Sequence, residues 1–60
     1  MTLEAIREDL INRLVSAMEE RDMGFKEMEP VVNVLIEVVK THFGPEGLEE
    51  ANERLRRNRG

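Results

Sequence analysis

The segment between Pro30 and Gly44, VVNVLIEVVKTHF, constrains the fold of this 60-residue chain more than any other feature. Pro30 suits the first turn of a helix, where its missing N–H is not needed, and Gly44 suits the left-handed position that ends one. On a helical wheel the apolar residues between them cover an arc of about 200°. Asn33, Glu37, Lys40 and Thr41 share the narrow polar face that remains. The pattern therefore predicts a helix over 30–43 with more apolar surface than one neighbouring helix can cover.

A β-strand is the alternative for this segment. It is rich in β-branched residues, and Val32, Val34, Ile36 and Val38 alternate along it. The opposite face of such a strand would mix polar and apolar side chains, and the rest of the chain offers no second strand to pair with it. The helix explains the positions of all four polar residues and both ends, so the pattern favours a helix.

A first helix is predicted over about 2–23. Thr2 is a suitable N-cap, and Gly24 is a natural stop because glycine adopts a positive φ readily. Apolar residues recur at spacings of three and four, which is typical of an amphipathic helix. They are Leu3, Ile6, Leu10, Leu14 and Ala17, with Ile11, Val15 and Met18 widening the stripe to an arc of about 180°.

A third helix is predicted over about 45–58, with a frayed tail at 59–60. Its acidic residues lie near its start and its arginines near its end, as the helix dipole favours. Its apolar stripe is thin and consists of Leu48, Ala51 and Leu55. Such a helix can dock on another element but cannot form a core by itself.

These elements predict a single all-α domain over 1–60: an antiparallel helical hairpin plus a short C-terminal helix. A linker of about six residues between the first two helices favours the hairpin. Two helices with such wide apolar arcs cannot hide them against each other, and an uncovered patch marks an interface. A homodimer forming a four-helix-type bundle is therefore predicted, although a higher oligomer or an obligate hetero-partner would satisfy the same constraint. The residues predicted to form the self-association interface are Leu10, Leu14, Val31, Val34, Leu35, Val38, Val39 and His42.

Composition limits the chemistry of the chain. It contains no cysteine and one histidine, so disulfides and thiolate metal sites are excluded. No catalytic residues, metal ligands or cofactor are predicted, and an enzyme is not expected. The N-terminus carries charges every few residues, unlike a signal peptide, and no apolar run approaches the roughly 20 residues of a membrane span. A cytoplasmic protein without membrane contact is therefore expected.

His42 lies inside the apolar arc of the 30–43 helix. A histidine can serve as a metal ligand, a base or a pH switch. No carboxylate stands three or four residues before it, and site chemistry needs convergent partners. The pattern favours a histidine packed at the interface in the last helical turn.

Two further clusters suggest binding partners. Methionines and a phenylalanine surround the predicted hairpin turn. Flexible thioethers suit adaptable protein-binding surfaces, although the favoured interpretation is that they fill gaps at the end of the bundle. These residues are Met18, Met23, Phe25 and Met28. The C-terminal arginines Arg54, Arg56, Arg57 and Arg59 are the second cluster. They offer contacts with phosphates or with an acidic partner. The favoured alternative is that they match the helix dipole and form ion pairs, with Glu50 four residues before Arg54 and Glu53 four residues before Arg57.

The net charge of −4 argues against general affinity for nucleic acids. The leading functional hypothesis is a small homo-oligomeric interaction module, an adaptor, inhibitor or regulator that binds another protein. The rival hypothesis is a nucleic-acid accessory protein that uses paired arginine-rich helices. A purely structural oligomer subunit is a third and weaker alternative.

Overall fold

The computed structural model describes residues 2–59, and these residues are almost entirely helical. Helix α1 spans Leu3–Asp22, a short 3-10 helix spans Lys26–Met28, and helix α2 spans Glu29–Arg59. The prediction of an all-helical chain is confirmed. The strand alternative is wrong, because residues 31–43 lie within α2.

Helix α1 begins and ends where its capping residues predict. The Thr2 hydroxyl accepts a hydrogen bond from the Ala5 N–H at 3.1 Å and so satisfies one free donor of the first turn. At the other end Gly24 has φ 105°, which glycine adopts without strain. The N–H groups of Gly24 and Phe25 donate to the carbonyls of Arg21 and Glu20. This pair of bonds is the Schellman arrangement, and it turns the chain sharply out of the helix.

Gly44 divides α2 into a first arm, residues 29–43, and a second arm, residues 45–59. Its backbone lies at φ 73° and ψ −173°, a region that only glycine occupies freely. A straight helix of 31 residues would measure about 46 Å at 1.5 Å per residue, whereas the longest dimension of the fold is 33 Å. The second arm therefore folds back, and it is the C-terminal helix that the sequence predicts.

Polar contacts show how the arms run relative to α1. Arg21, near the end of α1, lies 3.8 Å from Glu29 at the start of the first arm, so these two helices are antiparallel. Arg54 contacts Glu8 near the start of α1, and the guanidinium of Arg59 contacts Asp22 at its end. The second arm thus runs in the same direction as α1. A frayed tail was predicted from residue 59, but Arg59 is helical and docked; Gly60 lies outside the described residues.

The core lies where α1 meets both arms. Its buried residues are Ile11, Leu14, Val15, Ala17 and Met18 of α1, Val32 and Val39 of the first arm, and Ala51 of the second. Small residues allow the second arm to pack closely against the first arm. A Cβ added to Gly47 would lie only 2.7 Å from Cγ1 of Val39, so this position has room for glycine alone. Leu48 and Leu55 pack against the edge of this core. The thin stripe of the second arm therefore docks, as predicted, and leaves one side of the first arm uncovered.

Candidate functional site

The uncovered side of the first arm carries a continuous line of apolar side chains. Val34 is 61% exposed and Val31 is 40% exposed, while Leu35 and Val38 are half-buried. Helical spacing places these positions on one face, about 100° from the face that Val32 and Val39 bury in the core. We call Pro30, Val31, Val34, Leu35 and Val38 the outer stripe. Part of it forms a shallow, wholly apolar cleft of about 310 Å³, lined by Pro30, Val31, Val34 and Leu35.

A charged surface of α1 borders the outer stripe. Asp9, Arg13, Ser16 and Glu20 line one wall of a second cleft, of about 540 Å³, whose other wall includes Val31 and Leu35. We call these four residues the α1 flank. Arg13 donates from Nε to Oδ2 of Asp9 at 2.8 Å, so the flank already contains one ion pair within the helix. Sequence reasoning overlooked this flank, because its position beside the stripe depends on how the helices pack.

The residues predicted for self-association fall into two groups. Leu14 is 1% exposed and Val39 is 0% exposed, so the protomer buries both without a second copy. Leu10 is half-buried, while His42, like the residues of the outer stripe, remains accessible. The predicted interface is thereby reduced to the outer stripe and its neighbours, and self-association itself stays a prediction.

The residues predicted to bind another protein, Met18, Met23, Phe25 and Met28, also divide into buried and exposed side chains. Met18 is buried in the core and Met28 packs against it. Met23 and Phe25 are exposed at the turn between α1 and the 3-10 helix, at 70% and 50%. We call Met23 and Phe25 the turn patch. Only this pair remains on the surface as a candidate site for another protein.

Arg54 is the most highly connected polar side chain among the described residues. Its Nε donates to Glu50 at 2.9 Å, and its two terminal nitrogens donate to Asn12 at 2.9 Å and Glu8 at 2.8 Å. The hydrogen bond from Arg54 lowers the pKa of Glu8 below its ordinary value. The bonds to Glu8 and then Glu50 raise the pKa of the guanidinium. These contacts fasten the second arm to α1.

The other three arginines predicted to bind phosphate differ in their contacts with carboxylates. Arg57 lies 3.7 Å from Glu50, and Arg59 contacts Asp22. Arg56 is exposed, and no carboxylate lies within 4 Å of it among residues 2–59. Three of the four arginines thus lie beside carboxylates of their own chain, which reduces the positive charge available to a phosphate. Binding of nucleic acid stays an untested prediction.

His42 is exposed near the end of the first arm, and its ring lies 6.3 Å from that of Phe43. Within residues 2–59 no three or more His, Asp or Glu side chains are grouped closely enough to hold a metal ion. His42 lies beside the outer stripe, and its packing against a second copy stays a prediction.

Replacing Arg54 by Met should raise the pKa of Glu8 toward its ordinary value. Arg54 stabilises the charged carboxylate, so the folded chain holds this proton less tightly than the unfolded chain. This contribution to stability is present at neutral pH and is lost as the pH falls through the lowered pKa of Glu8. We expect the wild-type advantage over Arg54→Met in urea unfolding to be smaller at pH 3 than at pH 7.

Arg56→Met is the matched control, since it removes an exposed arginine from the same helix. An NMR titration of the Glu8 carboxyl compares the three proteins directly. A Glu8 pKa that is the same in wild type and Arg54→Met would contradict the assigned contact.

No protein-family model, curated protein or solved structure matches the chain. In the part of the chain that the structure describes, none of the helices has the length and apolarity needed to cross a membrane. The case for a function therefore depends on the geometry of the outer stripe, the α1 flank and the turn patch.

Proposed function

We propose that this chain is a small homo-oligomeric protein-interaction module that associates with itself through the outer stripe and acts as an adaptor, inhibitor or regulator of another protein. The observation that carries the proposal is the exposure of Val31 and Val34 in a folded protomer. A contiguous apolar patch on a small, highly charged protein is typical of an interaction site.

Outside the outer stripe the protomer is compact and well packed. Its accessible surface is 4361 Å², close to the roughly 4,000 Å² typical of a folded monomer of 7.0 kDa. No described buried side-chain polar atom lacks a hydrogen-bond partner. The large apolar side chains left exposed are Val31 and Val34 in the outer stripe, Met23 and Phe25 in the turn patch, and Leu3 and Ile6 at the start of α1. They border a well-packed core and are not a sign of a poorly packed chain.

The size of the chain supports self-association. A domain of about 60 residues commonly gains stability from disulfides, a metal or oligomerisation. The sequence has no cysteine for the first of these. Association through the outer stripe would remove its valines from water, and full burial of such a side chain is worth about 1.5–3 kcal/mol.

The turn patch is the proposed contact for the other protein. Met23 and Phe25 lie at the end of the hairpin, away from the middle of the outer stripe, so self-association and partner binding use separate surfaces. The flexible thioether of Met23 can adapt to partners of differing shape.

Replacing Val34 by Glu should dissociate the oligomer and leave the protomer folded. Val34 is 61% exposed, so a carboxylate there stays in water in the protomer but would lose hydration in the oligomer. Sedimentation equilibrium at micromolar concentration measures the mass, and circular dichroism measures the helix content.

Asn33→Glu is the matched control, because it adds the same charge on the exposed polar face of the same arm. It should retain the oligomeric mass. A wild-type chain that sediments as a stable monomer throughout the micromolar range would refute the proposal.

A further inference from the structure

We infer that the outer stripe is covered by a second copy of the chain packed antiparallel to the first, with stripe against stripe and α1 flank against α1 flank. This inference rests on the proposed self-association. It specifies the symmetry of the dimer and adds the α1 flank to the interface. Two observations carry it: the limited extent of the stripe and the charged border along α1.

The stripe alone is too small to hold two copies together. Two molecules lose translational and rotational freedom when they associate, and burial of apolar surface must offset that loss. Val31 and Val34 are already partly covered in the protomer, so little apolar surface is left in the stripe to do so. A stable interface takes about 800 Å² from each partner, nearly a fifth of the 4361 Å² of protomer surface. The interface must therefore extend across the neighbouring cleft onto α1.

The symmetry of a dimer then limits the arrangement. In a two-fold dimer the same patch is used by both copies, and the axis lies in the plane of the interface. Consider first an axis parallel to the helices that runs between the outer stripe and the α1 flank, at the centre of the shared patch. It would pack the outer stripe of one copy on the α1 flank of the other. Val34 would then lie against Asp9, Arg13 or Glu20, and burial of charged groups against apolar side chains is costly.

An axis perpendicular to the helices avoids this mismatch. It places the first arm on the partner's first arm and α1 on the partner's α1, each pair antiparallel. The valines then meet valines, and the charged flank meets charged groups at an edge that water still reaches. An apolar centre with a polar rim is the usual anatomy of a protein interface.

The antiparallel arrangement also determines which parts of the two copies lie close together and which lie far apart. Val38 of one copy lies near Val31 of the other, since these residues lie toward opposite ends of the outer stripe. The two turn patches lie at opposite ends of the dimer, separated by roughly the 30 Å length of the 20-residue α1. The dimer would present its candidate partner site twice.

Disulfide cross-linking tests the arrangement cleanly, because the chain has no cysteine of its own. Val31→Cys and Val38→Cys are prepared separately, one of them with an affinity tag, then mixed and oxidised. Residues 31 and 38 are about 10 Å apart along the arm. A disulfide requires Cα atoms within about 7 Å, so an antiparallel dimer should link position 31 to position 38 and should not link position 31 to itself.

Asn33→Cys, on the polar face of the same arm, is the control for random collision and should remain unlinked. Efficient 31-to-31 linkage in a sedimenting dimer would overturn the antiparallel arrangement and leave self-association intact. A dimer that links neither pair would also overturn it, because the outer stripe would then not face its counterpart. A monomeric wild-type chain in sedimentation would remove the proposed self-association and this inference together.

Discussion

Leu14→Ala is expected to unfold much of the protein at room temperature. Leu14 is 1% exposed in the core between α1 and the two arms. Leucine-to-alanine changes at such sites cost about 2–5 kcal/mol, through lost burial and the cavity left behind. The core of a domain this small rarely supplies more than about 3–5 kcal/mol of stability. Urea unfolding followed by circular dichroism measures the difference.

Leu3→Ala is the matched control, because the same change is made in the same helix at a side chain that is 74% exposed. It should cost well under 1 kcal/mol. The sequence assigned Leu14 to the interface between copies, whereas the structure assigns it to the interior of each protomer. A Leu14→Ala protein that stays fully folded but becomes monomeric would support the first assignment against the second.

Gly44→Ala is expected to have the second largest effect. Gly44 occupies φ 73° and ψ −173°, which no residue with an L side chain adopts without strain. A Cβ at this position would have no other atom within 4 Å, so the expected loss of about 1–3 kcal/mol comes from the backbone and not from a collision. The unfolding free energy of wild type and variant in urea gives the comparison.

D-Alanine at position 44 is the sharpest control, since a chain of 60 residues is accessible to chemical synthesis. For a D residue these dihedral angles mirror the extended region that L residues adopt readily. The D-Ala protein should keep at least wild-type stability, helped by a less flexible unfolded chain. Equal destabilisation by L-Ala and D-Ala would mean that the added methyl group, and not the sign of φ, is responsible.

The helical segments and their ends follow from local chemistry. Thr2 caps α1, Gly24 stops it, and Gly44 breaks α2, because each acts on its own few residues of backbone. The boundaries of α2 are less local. The helix begins at Glu29, one residue before Pro30, and a 3-10 helix occupies part of the predicted linker. The second arm continues through Arg59, whose guanidinium contacts Asp22 of α1.

The arginine cluster shows the limit of interpreting charge from sequence. The i,i+4 spacing predicts pairs of Glu50 with Arg54 and of Glu53 with Arg57. The structure forms the first at 2.9 Å, whereas Arg57 lies 3.7 Å from Glu50 instead. The contacts of Arg54 with Glu8 and Asn12 join residues more than 40 positions apart, so no local pattern indicates them. They make Arg54 part of the fold, whereas the sequence alone presents it as an equal member of a basic tail.

The sequence by itself determined that the chain is helical, where it turns, and that the first arm has more apolar surface than one neighbour can cover. These properties depend on helix periodicity and on the conformational preferences of single residues. Only the tertiary structure decided which valines are core and which are surface: Val39 is fully buried, whereas Val34 is exposed. Both belong to the same apolar arc, and the choice between them depends on where α1 and the second arm press against it. That position is set by packing between distant segments, through Gly47, Ala51 and Arg54, which no local pattern encodes.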